Sequence, residues 1–91
     1  MKTDLHNRKK IRERNRDYVR QIKESNPCID CGEHFHYSQM DFDHLDDKKH
    51  SIAKLANSEA SIKTIKSELT KCELVCSNCH RLRTWVRAQD S

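Results

Sequence analysis

Two Cys-x-x-Cys pairs are the residues of this sequence whose chemistry is clearest. Cys28 and Cys31 form the first pair, Cys76 and Cys79 form the second, and 44 residues lie between the pairs. Each pair can occupy two corners of a tetrahedron, so together they predict a closed, structural zinc site with four thiolate ligands. Two disulfides or two redox-active pairs are the alternative interpretation.

A metal staple would suit a chain of this composition. Of 91 residues, only 34% are hydrophobic and 35% are charged. So short a chain buries little apolar surface, whereas zinc binding can contribute on the order of 10 kcal/mol to folding. The fifth cysteine, Cys72, is expected to be a small buried apolar residue rather than a ligand. With no apolar leader or membrane-length segment visible, we expect a soluble, cytoplasmic protein whose clustered cysteines stay reduced and bind metal.

A second group of candidate residues lies between and directly after the cysteine pairs. Asp43 and His44 are adjacent in the sequence, and His80 directly follows Cys79. Phe42-Asp43-His44, a helical insert and then Cys76-Ser77-Asn78-Cys79-His80-Arg81 together resemble the motif of HNH (ββα-metal) endonucleases in their four-cysteine form. The sequence is also similar to phage recombination endonucleases of this class, and the resemblance covers roughly residues 28–85.

The resemblance implies a role for each matching residue. His44 matches the general base that activates water, and Asp43 and His80 match the ligands of a catalytic divalent metal. The expected activity is metal-dependent hydrolysis of DNA phosphodiester bonds, as in an HNH endonuclease. One position departs from the motif: the Asn that usually precedes the third zinc cysteine by five residues, and orients the base in the family, is Lys71 here.

The chemistry of these side chains is consistent with that expectation. A neutral histidine can act as a base near pH 7, and a hard divalent ion with few protein ligands keeps positions open for phosphate and water. One carboxylate and one imidazole suit Mg²⁺ or Mn²⁺, although Ni²⁺ or Zn²⁺ could also occupy such a site. Asp41, Asp46 and Asp47 add negative charge nearby, as an outer ligand in the case of Asp41 or simply as solvated carboxylates.

Charge is distributed unevenly along the chain. Residues 1–27 carry a net charge of +5, residues 28–75 carry −3 and residues 76–91 carry +2. Basic ends suit a polyanion such as duplex or branched DNA, and an acidic middle suits a cation. The N-terminal helix could at the same time be a solvated amphipathic helix that packs Ile11, Tyr18 and Ile22 on the domain, and the two interpretations are compatible. The residues predicted to contact nucleic acid are Arg8, Lys9, Arg12, Arg16, Arg20, Arg81 and Arg83.

Hydrophobic spacing predicts the elements that would position these residues. We expect a helix over 8–24, ended by Pro27, and a β-hairpin made from 35–37 and 40–43. A short helical turn at 52–57 and a helix over about 59–71 should follow, with Ser58 or Ser61 as its cap. The last helix should start within the second cysteine pair, reach about residue 88 and bury Leu82, Trp85 and Val86. Trp85 as a base-stacking platform is the alternative for that residue.

These elements predict one compact α+β domain with a small ββα-metal, treble-clef-like core. Residues 1–27 would form a basic N-terminal helix and residues 28–91 the nuclease domain. The rival hypothesis is a zinc-stabilised nucleic-acid-binding module without catalysis, which explains the cysteines and the basic ends equally well. It leaves Asp43, His44 and His80 unexplained, whereas Lys71 favours it. A homodimer would suit double-strand cleavage, although no interface pattern is visible in the sequence.

Overall fold

A computed structural model describes residues 5–45 and 49–89 of the chain as a small α+β fold. Four α-helices, one turn of 3₁₀-helix and two strands follow one another in this part of the chain. Their order is α1 (Leu5–Ser25), the 3₁₀ turn (Tyr37–Gln39), β1 (Met40–His44), α2 (Ile52–Ala56), α3 (Ile62–Leu69), β2 (Cys72–Cys76) and α4 (Ser77–Gln89). None of the described helices is both long and apolar enough to cross a membrane.

The first helix is one turn longer at its start than the apolar spacing indicates, and it ends at Ser25, two residues before Pro27. Asn26 follows the last turn, and its side-chain amide donates to the carbonyl of Ile22 at 2.9 Å. The helix is docked through a buried polar residue that the pattern analysis overlooked. Asn15 is fully buried, and its amide donates to the carbonyls of Ser58 and Ala60 at 2.9 and 2.8 Å.

The prediction of a hairpin from 35–37 and 40–43 is wrong. Residues Tyr37–Gln39 form a 3₁₀ turn, which the ring of His36 caps by accepting a hydrogen bond from the backbone N–H of Ser38. β1 instead pairs with β2 in an antiparallel two-stranded sheet, with Met40 opposite Cys76 and His44 opposite Cys72. Strand β2 was overlooked because the preceding helix was expected to reach about residue 71 and Cys76 was assigned to the second cysteine pair, which left few residues between them.

Two short helices lie between the strands, and serine side chains start both of them. Ser51 accepts from the backbone N–H of Lys54 at 3.4 Å, and Ser61 accepts from that of Thr64 at 3.1 Å. Such caps satisfy backbone N–H groups that have no partner within the helix. Helix α3 is shorter than predicted at both ends, since residues 59–61 form its entry and Cys72 already belongs to β2.

The apolar interior consists of two clusters. One joins α1, α2 and α3 around Val19, Ile52, Leu55 and Ile65. The other surrounds the cysteines and contains Met40 and Val75. The prediction that α4 buries an apolar face is wrong: Leu82 is 60% exposed, Trp85 61% and Val86 45%. Helix α4 turns charged side chains towards the sheet, and ion pairs rather than apolar contacts hold it there.

Candidate metal centre and cleft

The four predicted zinc ligands come together in space. Their sulfur atoms all lie within 4.8 Å of one another, and this is the only group of three or more possible metal ligands that meets this distance in residues 5–45 and 49–89. Four thiolates at about 2.3 Å from a zinc ion would lie roughly 3.8 Å apart, so the separation fits tetrahedral coordination. The chain therefore has a four-cysteine cluster that could hold a metal such as zinc.

Local backbone geometry prepares each half of this cluster. Gly32 has a φ of +77°, a conformation that other residues rarely adopt, and its N–H donates to the carbonyl of Cys28 at 2.8 Å. In the second half, the N–H of Cys79 donates to the sulfur of Cys76 at 3.4 Å. Both halves are thus turned so that their sulfur atoms converge.

Crowding and local hydrogen bonds shift the pKa values of these thiols in opposite directions. A hydrogen bond to Cys76, followed by burial, raises the pKa of the Cys79 thiol to about 12. Burial would also raise the pKa of Cys28, but backbone hydrogen bonds outweigh it and lower that pKa to about 6. Four thiolates so close together repel one another, and a divalent ion among them removes that repulsion.

The two candidate catalytic histidines line one cleft. It has a volume of about 560 Å³ and lies between α1, β1, α2 and the start of α4. His44 comes from the end of β1 and His80 from the first turn of α4, and Asp41 lies on the cleft wall with them. The cleft also receives three basic side chains of α1, which are Arg16, Arg20 and Lys23.

His80 lies between two carboxylates of β1. Its Nδ1 is 3.0 Å from an oxygen of Asp41, and its Nε2 is 3.5 Å from an oxygen of Asp43. Asp41 and Asp43 share one face of the strand because side chains alternate, and this face meets α4. Asp41 and Asp43 approach different nitrogens of the ring, so the three side chains do not form one ligand set. The imidazole with one of the carboxylates is a mixed donor pair of a kind that hard or borderline divalent ions accept.

Asp43 already has cationic partners. Its oxygens accept hydrogen bonds from Arg87 at 3.0 and 2.7 Å and from Arg83 at 2.7 Å, and only 5% of its side chain is exposed. The hydrogen bond from Arg87 is the main cause of the low pKa of Asp43, about 2, and outweighs the opposing effect of burial. A metal ion on Asp43 would compete with Arg87, whose side chain is 51% exposed, more easily than with Arg83.

Arg83 is held by three carboxylates rather than presented to solvent. Besides Asp43, it donates two hydrogen bonds of 2.7 Å to Asp30 and one of 2.8 Å to Glu73. It thereby connects the first cysteine knuckle, β1 and β2 to α4. The structure thus places this residue, predicted to contact nucleic acid, in an internal ion-pair network, whereas Arg81 is exposed on the same helix.

The basic residues predicted on α1 separate into two groups. Arg8 and Arg12 pair with Glu59 at 3.9 and 3.1 Å, and Lys9 is exposed. Arg16 and Arg20 line the cleft instead. Arg16 donates to the side chain of Asn57 at 3.4 Å, and the Arg20 guanidinium lies 4.3 Å from the centre of the Tyr37 ring.

Sequence reasoning missed the partner of His44. The Nε2 atom of His44 is 2.9 Å from Oε2 of Glu68, a carboxylate on α3 that is only 3% exposed. The signal for this residue was its position, because Glu68 lies three residues after the buried Ile65 and therefore on the inward face of α3. Lys71, which stands at the motif position of Asn, contacts Glu68 at 3.3 Å. Asp46 and Asp47 lie outside the described residues.

In comparisons with protein-family models, with curated proteins and with solved structures, nothing matches this chain. The features of this chain that bear on its function are the cysteine cluster and the side chains that meet in the cleft.

Proposed function

We propose that the protein is a metal-dependent endonuclease of the HNH type that hydrolyses phosphodiester bonds in DNA. The observation that carries the proposal is the meeting of His44 and His80 in one cleft, since they come from separate motifs in opposite halves of the chain. The four-cysteine cluster would hold zinc as a structural ion and fix the start of α4, from which His80 projects. The same proposal includes a treble-clef-like core and a basic α1 that binds nucleic acid.

In this proposal each side chain has a distinct task. His44 takes a proton from the attacking water, and a neutral imidazole suits that task near pH 7. Asp43 and His80 would hold the catalytic divalent ion, Mg²⁺ or Mn²⁺ by ligand chemistry, with Asp41 beside them. When bound, such an ion supplies electrostatic stabilisation to the phosphate and the leaving oxygen.

The charge of the cleft supports a polyanionic substrate. Arg16, Arg20 and Lys23 face the wall that carries the histidines, so a phosphate backbone in the cleft would lie between cations and candidate catalytic groups. Lys23 is partly desolvated, which lowers its pKa, while the nearby Asp41 acts in the opposite direction. Duplex and branched DNA are both compatible with this arrangement.

Supercoiled-plasmid nicking tests the proposal. Protein with one zinc ion per chain is assayed with Mg²⁺, Mn²⁺ or Ni²⁺, with brief exposure to EDTA, and with a His44→Ala variant. We expect metal-dependent nicking by the parent and its loss in the variant. His34→Ala is the matched control, because His34 is exposed and does not line the cleft. Circular dichroism and zinc content must be the same for all proteins.

A zinc-stabilised nucleic-acid-binding module without catalysis is the second candidate. The specific observation in its favour is that both oxygens of Asp43 accept hydrogen bonds from arginines. In that case the zinc-loaded parent would shift DNA in a gel and would leave the plasmid intact with every metal.

A further inference from the structure

Glu68 is a buried carboxylate on α3. It is 3% exposed, and burial of a charged group is unfavourable unless hydrogen bonds or opposite charges compensate it. Besides Asp43, it is the only acidic residue that is buried in residues 7–45 and 49–89. Asp43 is accounted for by its arginines, so the partners of Glu68 indicate what this second carboxylate does.

Four groups converge on its two oxygens. Oε2 lies 2.9 Å from Nε2 of His44, and it accepts from the backbone N–H groups of Lys49 at 3.2 Å and His50 at 3.5 Å. Oε1 accepts from the Nζ of Lys71 at 3.3 Å. The carboxylate is therefore fixed from several directions, and the imidazole that it contacts has little freedom to rotate.

We propose that Glu68 is the positioning residue of His44: it fixes the orientation of the ring and keeps the proton on Nε2. An ionised carboxylate can only accept hydrogen bonds, so a neutral His44 beside it must donate through Nε2. Its Nδ1 then carries the lone pair, and this is the nitrogen that can take a proton from water. The inference rests on the proposed function, in which His44 is the base.

The arrangement also accounts for the departure at Lys71. The motif has an Asn at this position that orients the base directly. Lys71 instead contacts Glu68, and it acts on His44 only through that carboxylate. The orienting oxygen comes from one helical turn earlier, on α3. With no Asn at this position, the carboxylate of Glu68 orients the base instead. Its negative charge also stabilises the imidazolium that forms when His44 takes a proton.

A purely structural role for Glu68 would consist of holding the loop around Lys49 and His50. The two roles differ in what they predict for kinetics. A residue that orients a ligand or base through one hydrogen bond typically contributes about 10- to 100-fold to activity. If Glu68 acts through His44, Glu68→Ala should lower kcat of oligonucleotide cleavage by that factor and leave KM within about twofold. In a His44→Ala background, the same substitution should not lower the remaining cleavage rate any further. Glu68→Gln keeps a carbonyl oxygen for Nε2–H and should restore part of the loss.

Glu59→Ala is the matched control, because Glu59 is an exposed carboxylate that pairs with Arg8 and Arg12 outside the cleft. It should leave kcat unchanged. Equal losses from Glu68→Ala in the parent and in the His44→Ala background would overturn the proposal. So would a loss that appears in KM alone.

The tautomer of His44 tests the positioning role of Glu68 without a measurement of activity. Long-range ¹H–¹⁵N spectra at about pH 8, above the ordinary imidazole pKa, report which ring nitrogen carries the proton. We expect the Nε2–H form in the parent and a mixture of tautomers in Glu68→Ala, with Glu68→Gln examined instead should the alanine variant not fold. An Nδ1–H form in the parent, or an unchanged tautomer in the folded variants, refutes the inference. An inactive parent with the expected tautomers would refute the nuclease and leave the His44–Glu68 pair intact.

Discussion

Arg87 binds the carboxylate of Asp43 through two hydrogen bonds, one to each oxygen, at 3.0 and 2.7 Å. The guanidinium therefore occupies both oxygens of Asp43, including Oδ1, which lies 3.5 Å from Nε2 of His80. The Arg87 side chain is half exposed, whereas the Asp43 carboxylate is buried. Arg87 can therefore move into solvent, while Asp43 stays in place.

Arg87→Gln should therefore strengthen binding of Mn²⁺ to protein whose cysteine cluster already holds zinc. Displacing a charge-assisted hydrogen bond costs about 1.5–3 kcal/mol, so its removal should lower Kd on the order of tenfold. Calorimetric titration measures the change. Arg81→Gln is the control, since it removes the same charge from an exposed position on the same helix. Equal Kd values for both variants would show that Asp43 does not bind the ion.

The cysteine cluster allows a second test with an internal control. Cys76→Ser should reduce the zinc content below one ion per chain and abolish cooperative unfolding, because one of four ligands is lost and metal binding contributes to folding. Cys72→Ser, four residues away and outside the cluster, should retain one zinc ion. Zinc released by acid and quantified with a chromogenic chelator gives both numbers. The assignment of ligands is wrong if the two variants lose zinc equally.

The division of basic residues on α1 predicts unequal effects on DNA binding. Replacing Arg16 and Arg20 by alanine should weaken binding and reduce the slope of log K against log salt by about 1–2, since both side chains line the cleft. Replacing Arg8 and Arg12, which pair with Glu59, should change that slope less. Fluorescence anisotropy at several salt concentrations measures the slopes. A larger effect of the Arg8 and Arg12 pair would place the DNA away from the cleft.

Acid stability should depend on Glu68. Burial would raise its pKa, but the hydrogen bonds from His44, His50, Lys49 and Lys71 outweigh it and lower the pKa from 4.5 to about 2. The folded chain thus binds fewer protons than the unfolded one between these values, so the contribution of Glu68 is complete above about pH 4.5 and is lost as the pH falls towards 2.

Urea unfolding of the parent and of Glu68→Gln over this range measures that contribution. The difference in free energy of unfolding between them should shrink as the pH falls. Both proteins keep the four cysteines, so they are compared over the part of this range in which each still holds one zinc ion. A difference that is independent of pH over this range would mean that folding does not lower the pKa of Glu68.

The exposure of Trp85 gives a simple check on α4. With 61% of the residue exposed, its fluorescence should have the emission maximum of a hydrated indole and should be quenched efficiently by iodide. Trp85→Ala should change the free energy of unfolding by no more than about 0.5 kcal/mol, as is usual for surface positions. Blue-shifted, poorly quenched emission would show that something covers this face in solution.

The sequence was sufficient for features that local spacing determines. The two Cys-x-x-Cys pairs predicted the cluster, Pro27 predicted the end of α1, and Ser61 was among the expected caps of α3. The helix end and the cap depend on residues within one turn, and each cysteine pair is recognisable from its own spacing, although the meeting of the two pairs is a long-range contact.

The errors concern long-range partners, which spacing does not encode. Strand β2 could not be recognised because its partner is β1 rather than the neighbouring segment, and two helices lie between them. The apolar residues Leu82 and Trp85 suggested a buried face of α4. Arg83 and Arg87 instead pair with Asp43 on the sheet, so the charged face of α4 lies against the sheet and the apolar residues are exposed. The pairing of His44 with Glu68 required the same tertiary information.

The two apolar clusters have a consequence for how the molecule opens. His44 is tied to the cluster of α1, α2 and α3 through Glu68, whereas His80 directly follows a ligand of the cysteine cluster. Each cluster is a candidate cooperative unit whose amides would show its own hydrogen-exchange protection. The apolar part of the cleft wall belongs to the first of these clusters, and His80 enters the cleft from the start of α4, next to the second. A local opening of either one would separate the two histidines while the other remained folded, so the least stable unit would set the fraction of molecules with an assembled site.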